Sequence, residues 1–523
     1  MPQSDIVSRR LQVHRRAFLL SGLAAAGLPW RATAASTLVK RQLSAPAYPF
    51  ALGVASGDPN ANSVVLWTRL APKPLEGGGM PTQNVDVRWV VAKDERLMQV
   101  VQQGVAVATP EWAHSVHVEV NGLEPDRWYY YAFYAMGEAS PIGRTRTTPR
   151  PNFLPQKLRY AFASCQHYEA GLFTAYEHMA REELDLVFHL GDYIYEAAGR
   201  ENPLRQHVGP LLESLPDYRN RHAQYKTDPM LQAAHARCPW VVTWDDHEFA
   251  NNCAGAISEK LDEDPEQYLI RRAQAYRAYY EHMPLRTASL PKGPNLKLYR
   301  NITYGRLAQF AVLDTRQYRT DQPCGDRNGP PCEGVFDPQA TLLGSTQEAW
   351  LMDSLKRSPA RWNVLAQQIM VAPIDQKAGE EIAISMDQWS GYAVPRTRLL
   401  SGLRDLKVSN PISIAGDIHS NWVNDLKVDF ADPDSPTIAT EFVGTSISSG
   451  GNGSQVDPNA PVYAENPFLK FVNRERGYVS CTVTPTEHRA DFQVVEEVRE
   501  PGAPLITRAS YVVEHGKPGA QRV

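Results

Sequence analysis

Leu186-Val187-Phe188-His189-Leu190-Gly191-Asp192-Tyr193-Ile194-Tyr195 runs largely apolar and then breaks at Gly-Asp. A short apolar run closed by glycine reads as a buried strand, with the acid on the turn beyond it. The same pattern recurs. Phe162-Ala163-Ser164 ends at Cys165, and Val241-Val242-Thr243-Trp244 ends at Asp245-Asp246-His247-Glu248, with Asn251 and Asn252 following. Phe310-Ala311-Val312-Leu313 ends at Asp314, followed by Arg316 and Arg319. Ile412-Ser413-Ile414-Ala415-Gly416 ends at Asp417-Ile418-His419. Helix patterns such as 173–183 and 266–280 alternate with the strands, which implies a layered α/β core. In such cores ligands bind beyond the carboxyl ends of the strands, so these residues converge on one crevice. Several carboxylates buried together repel, and cations must balance them. Two metals sharing a carboxylate could clamp a phosphoryl group undergoing transfer.

Working outward, residues 50–150 read differently. Val64–Trp67, Val85–Val90, Val116–Val120 and 128–134 are strand-like and separated by tight turns. They predict an immunoglobulin- or fibronectin-like β-sandwich over 45–150. Pro149-Arg150-Pro151 is a linker, 155–500 the catalytic domain and 501–523 a C-terminal tail. The glycine- and serine-rich stretch 444–451 reads as a mobile loop. The segment 196–226 and the tail are expected to cover or frame the site.

The chain has 523 residues, 43% of them hydrophobic and 21% charged, which excludes a disordered or coiled-coil protein. Its formal charge of −4 gives no global attraction to nucleic acid, and no nucleic-acid partner is expected. The N-terminus carries Arg15-Arg16, then a short apolar run to Leu28 and Ala32-Thr33-Ala34. That pattern resembles a twin-arginine leader over 1–34, cleaved on export, too short for a stable membrane anchor. The leader holds five Arg and one Asp, so cleavage would take the charge from −4 to −8. The expectation is a secreted or periplasmic monomer, exported folded by the twin-arginine machinery. Cys324 and Cys332 bracket a turn-rich loop and should form a disulfide. Cys238 and Cys253 could also pair.

The stretches 50–70, 163–166, 189–196, 243–252, 313–319 and 416–419 resemble the PhoD-type alkaline phosphatases, the alkaline phosphatase D / phospholipase D family. The resemblance implies a calcineurin-like metallophosphoesterase domain related to purple acid phosphatases, a four-layer α/β/β/α fold. It also implies Fe³⁺ beside Ca²⁺. Cys165, Asp192, Tyr195 and His419 then look like iron ligands, with Asp192 bridging, and Asp246, Asp417 and Asn252 like calcium ligands. Carboxylates where related enzymes carry neutral ligands suit calcium. Arg316 and Arg319 are expected to bind phosphate oxygens, and His247 to stabilise or protonate the leaving oxygen. The implied function is hydrolysis of phosphomonoesters, extending to phosphodiesters, by a metal-activated hydroxide for phosphate scavenging. The alternative is a diesterase of phospholipase D-like or teichoic acid-directed action on the same site.

Overall fold

A computed structural model describes residues 47–260, 263–457 and 459–523. The leader 1–34 lies outside the described residues. Two large sheets form the centre. In the ten-stranded sheet, Leu158–Ala163, Leu186–His189 and Trp240–Val242 run parallel and adjacent. In the seven-stranded sheet, Ala308–Val312, Trp362–Ala366, Pro411–Ala415 and Thr437–Val443 run parallel. These strands are apolar on both faces because both faces are covered. Tyr160, Phe162 and Phe188 of one sheet meet Phe310, Val364 and Ile414 of the other in a continuous core. The outer face of the first sheet packs on helices that include Leu215–Lys226 and Pro265–His282, and that of the second on Gly344–Arg357 and Ala393–Asp405. The architecture is α/β/β/α.

The N-terminal strands form a sandwich around Val64, Leu66, Val87, Tyr129 and Phe133. It is not a separate module. Val54–Gly57 pairs in parallel with Trp240–Val242, so one of its sheets continues the catalytic sheet. The sequence reading needs a second correction at the other end. Residues 501–523 are no tail: Leu505–Glu514 and Lys517–Arg522 are the outermost strands of the ten-stranded sheet. Leu505–Glu514 pairs against Glu487–Val495 and Lys517–Arg522 against Leu505–Glu514, with Ala509, Tyr511 and Val513 buried.

The Cys324–Cys332 disulfide is present, whereas Cys238 and Cys253 are free and buried. No described helix is long and apolar enough to cross a membrane.

Candidate metal centre

The carboxyl ends of the parallel strands from both sheets meet at one end of the core. Two glycines allow the approach: a Cβ on Gly191 would run into Asp245, and one on Gly416 into Ser164. A parallel bridge between Ser164 and Ser446 stitches the sheets together there. Cys165, Asp192, Asn252, Asp417 and His419 all adopt left-handed backbone, with φ between 48° and 67°. That conformation costs free energy for residues with a Cβ and persists where the surroundings enforce it. It turns each side chain off its strand axis.

One group of donors is Cys165, Asp192 and His419, whose ligand-type atoms lie within 4.8 Å of one another. The Tyr195 hydroxyl joins them, 2.8 Å from Asp192 and 3.3 Å from Nε2 of His419. Asp192, Asp246 and His247 form a second group, and Asp245, Asp246 and Asp417 a third. Asp192 belongs to the first two, as a bridging residue must. Asp192, Asp246, His247, Asn252, Asp417 and His419 line an open pocket of about 280 Å³. Cys165 and Tyr195 lie deeper and buried.

The electrostatics show a deficit of positive charge. Burial, reinforced by neighbouring acids, pushes the Cys165 thiol and the Tyr195 phenol well above their ordinary values. Burial likewise raises Asp192, against the pull of His247, and takes Asp417 up to about 7 against the pull of Arg316. Burial and the Arg476 cation hold His419 neutral, down to about 3. One carboxylate oxygen each of Asp192 and Asp245 is buried without a hydrogen-bond partner. A thiol, a phenol, a neutral imidazole and unpaired carboxylate oxygens in one hollow fit bound cations. Soft and phenolic donors on one side with oxygen donors on the other fit two different ones.

Arg316 and Arg319 do not face the pocket. Arg316 is fully buried, its Nε on Asp245 and its two terminal nitrogens on Asp387 at 2.7 and 2.9 Å. Asp417 lies 3.4 Å and Asp246 3.9 Å away. Arg319 donates to the Tyr392 hydroxyl and the Asp387 carbonyl. These guanidiniums are spent on neutralising acids and holding loops, which corrects the expectation that they grip phosphate. Asp314 also stands apart. It caps its own turn by accepting from the backbone N–H groups of Arg316 and Gln317.

The 444–451 stretch is likewise not mobile. Thr445 to Ser449 are buried; Ser449 Oγ is 2.6 Å from the Tyr195 hydroxyl and donates to the Cys165 carbonyl. Glu248, the last residue of the Asp245–Glu248 motif, accepts from the backbone N–H groups of Asp192, Tyr193 and Asp245, locking two strand ends together. Sequence reasoning missed further residues. Asp387 and Gln388 fix Arg316 and Asp417, and Asp326 accepts from Asn252 at 2.6 Å. These supports come from loops with no strand or helix signal, where spacing carries no information.

The family profile for PhoD-like phosphatase matches residues 160–492, and that for the N-terminal domain of PhoD-like phosphatases matches 33–149. The chain belongs to the PhoD-like phosphatases. It is 50% identical to alkaline phosphatase D of Bacillus subtilis (strain 168) over 519 residues, 97% of this chain and 89% of that protein. The solved structure of PhoD superimposes with a TM-score of 0.90 at 52% identity, covering 92% of this chain and 93% of that one. The family profile spans the strand ends that build the centre.

Proposed function

We propose that this PhoD-like phosphatase is an exported, monomeric enzyme that hydrolyses phosphomonoesters, extending to phosphodiesters, in phosphate scavenging. Supporting export are the paired arginines and cleavage pattern of the leader; no membrane anchor and no nucleic-acid partner enter the reading. The observation that carries the chemistry is the convergence of Cys165, Asp192, Tyr195 and His419 beside Asp246, Asp417 and Asn252. The first four would hold Fe³⁺ and the last three Ca²⁺, with Asp192 shared. Such cations supply a lowered water pKa and a clamp on phosphate oxygens.

The chain's own groups do the rest. His247 lines the pocket with its Nδ1 on Glu196, which leaves Nε2 to face a leaving oxygen and protonate it. Burial opposes a charge on this ring, but Asp246, Glu196 and Asp192 outweigh it and raise its pKa well above the ordinary value. Asn252 offers an amide at the rim, held by Asp326.

A substrate panel beside elemental analysis tests the reading. It would contain a nitrophenyl phosphate, a bis-nitrophenyl phosphate, a phospholipid and a teichoic acid. Iron, calcium and turnover of the monoester are expected. Diester turnover far above monoester turnover would favour the phosphodiesterase alternative instead.

A further inference from the structure

A second cavity, of about 370 Å³, opens directly beside the metal-centre pocket. The two share Asn328, Ser385, Gln388 and Ile418 as a common wall. Gln388 in that wall also donates to Asp417, so the cavity begins one side chain from a proposed metal ligand. Its floor is aromatic and aliphatic. The Trp422 and Tyr463 rings meet edge to face at 4.9 Å, flanked by Met370. Its rim is made of carboxamides and a cation: Gln376, Asn459 and Arg474 are exposed there. Asn328 donates to Gln376 at 3.3 Å across the mouth. Asp457 accepts from the Asn459 backbone and lies 3.8 Å from Arg474.

We infer that this cavity is the subsite for the alcohol part of the ester, and that it takes a hydroxylated ring such as a sugar. The inference rests on the phosphatase reading and adds the class of leaving group. A phosphoryl group held by the cations that Asp192, Asp246 and Asp417 would carry has its ester oxygen facing either His247 or the shared wall. The organic group must then leave by the open pocket mouth or by this cavity. A sugar ring lays its C–H face on an aromatic floor while its hydroxyls exchange hydrogen bonds with amide rims. An acyl chain would strip water from those amides and return no hydrogen bond, at a cost for each group left unpaired.

The test compares phosphate release from methyl phosphate, which is too small to reach the cavity, glucose 6-phosphate and a short-chain phosphatidic acid. The metal-loaded enzyme and a Gln376→Ala, Asn459→Ala double variant are assayed side by side. Both positions are exposed, so the fold is retained, and circular dichroism checks it. The double variant should lose about tenfold in kcat/KM on glucose 6-phosphate relative to its change on methyl phosphate, the effect of two modest hydrogen bonds. Taking the variant-to-wild-type ratio for each substrate cancels differences in leaving-group chemistry. Equal changes on the two substrates, or faster turnover of phosphatidic acid than of glucose 6-phosphate, would overturn the subsite while leaving a phosphatase. No release from methyl phosphate by the wild type would overturn the monoesterase reading, and the subsite with it.

Discussion

The Glu196 carboxylate lies 2.7 Å from Nδ1 of His247 and also accepts from the backbone N–H of Asn251 at 2.9 Å. The first contact fixes the imidazole's tilt over the Tyr195 ring, whose centroid is 4.2 Å away. The second anchors the carboxylate to the loop that carries the imidazole. Glu196→Gln keeps the shape and weakens the grip. It should lower kcat about tenfold with little change in KM, a fraction of what a general acid contributes. Glu196→Asp, which restores charge on a shorter arm, should recover part of the loss. Steady-state kinetics decide the matter, and an effect confined to KM would assign Glu196 to substrate binding.

If Cys165 and Tyr195 hold ferric iron, the purified protein should be coloured by charge transfer from sulfur or phenolate. Tyr195→Phe should shift or bleach the band in the visible spectrum. Calcium chelation should abolish turnover, and added calcium should restore it. Asp192→Asn is a clean probe of the shared ligand, because asparagine tolerates the left-handed backbone found there, φ 55°. Elemental analysis should show both metals depleted. A colourless, iron-free and fully active protein would remove iron from the site.

Arg316 is surrounded by Asp245, Asp246, Asp387 and Asp417. Removing the cation leaves buried acids facing one another. Arg316→Met should therefore cost about 3–5 kcal/mol of stability, as breaking other buried pairs does. Thermal melts of the holoprotein measure it. A variant that melts normally but shows only a raised KM would return Arg316 to the role of phosphate binder.

A group of buried histidines predicts how stability follows pH. Burial first, and the neighbouring cations second, hold His222, His235 and His282 well below the ordinary histidine value, and His189 down to about 3. All four are neutral when folded. The unfolded chain protonates them below pH about 6.5, so it binds more protons there, and stability rises with pH. Their contribution is complete above that value and is lost as pH falls through it, at about 1.4 kcal/mol per unit for each group. Burial also pushes Lys226 down to about 7, which extends the rise into the alkaline range. Asp417 and Glu248, whose carboxyls burial takes up to about 7, oppose the rise because they lose stability as pH climbs. The histidine contribution is isolated by comparing wild type with His235→Gln. The difference in melting temperature should shift in favour of wild type from pH 5 to pH 7, and an unchanged difference would mean this ring finds a proton or partner inside the fold.

Much of the site was legible because strand ends announce themselves. Asp192, Asp246, Asp417 and His419 each follow an apolar run, and the layered core brings such ends together. The direction of a guanidinium is not legible. Arg316 looked like a phosphate ligand until Asp387, from a segment with no periodicity, took two of its nitrogens. The serines of 444–451 looked mobile because composition hides the hydrogen bonds that Ser449 makes to Tyr195 and Cys165. Leu505–Glu514 reads as a tail because its partner strand Glu487–Val495 is not legible from sequence spacing.

That hairpin has a consequence for self-association. Its strands cap one border of the larger sheet, and the backbone of Val523 itself bonds to Ser510. Leu505–Glu514 pairs along Glu487–Val495, so the backbone donors and acceptors of that strand are covered. Without the hairpin they would stand open as a template for a strand of another molecule.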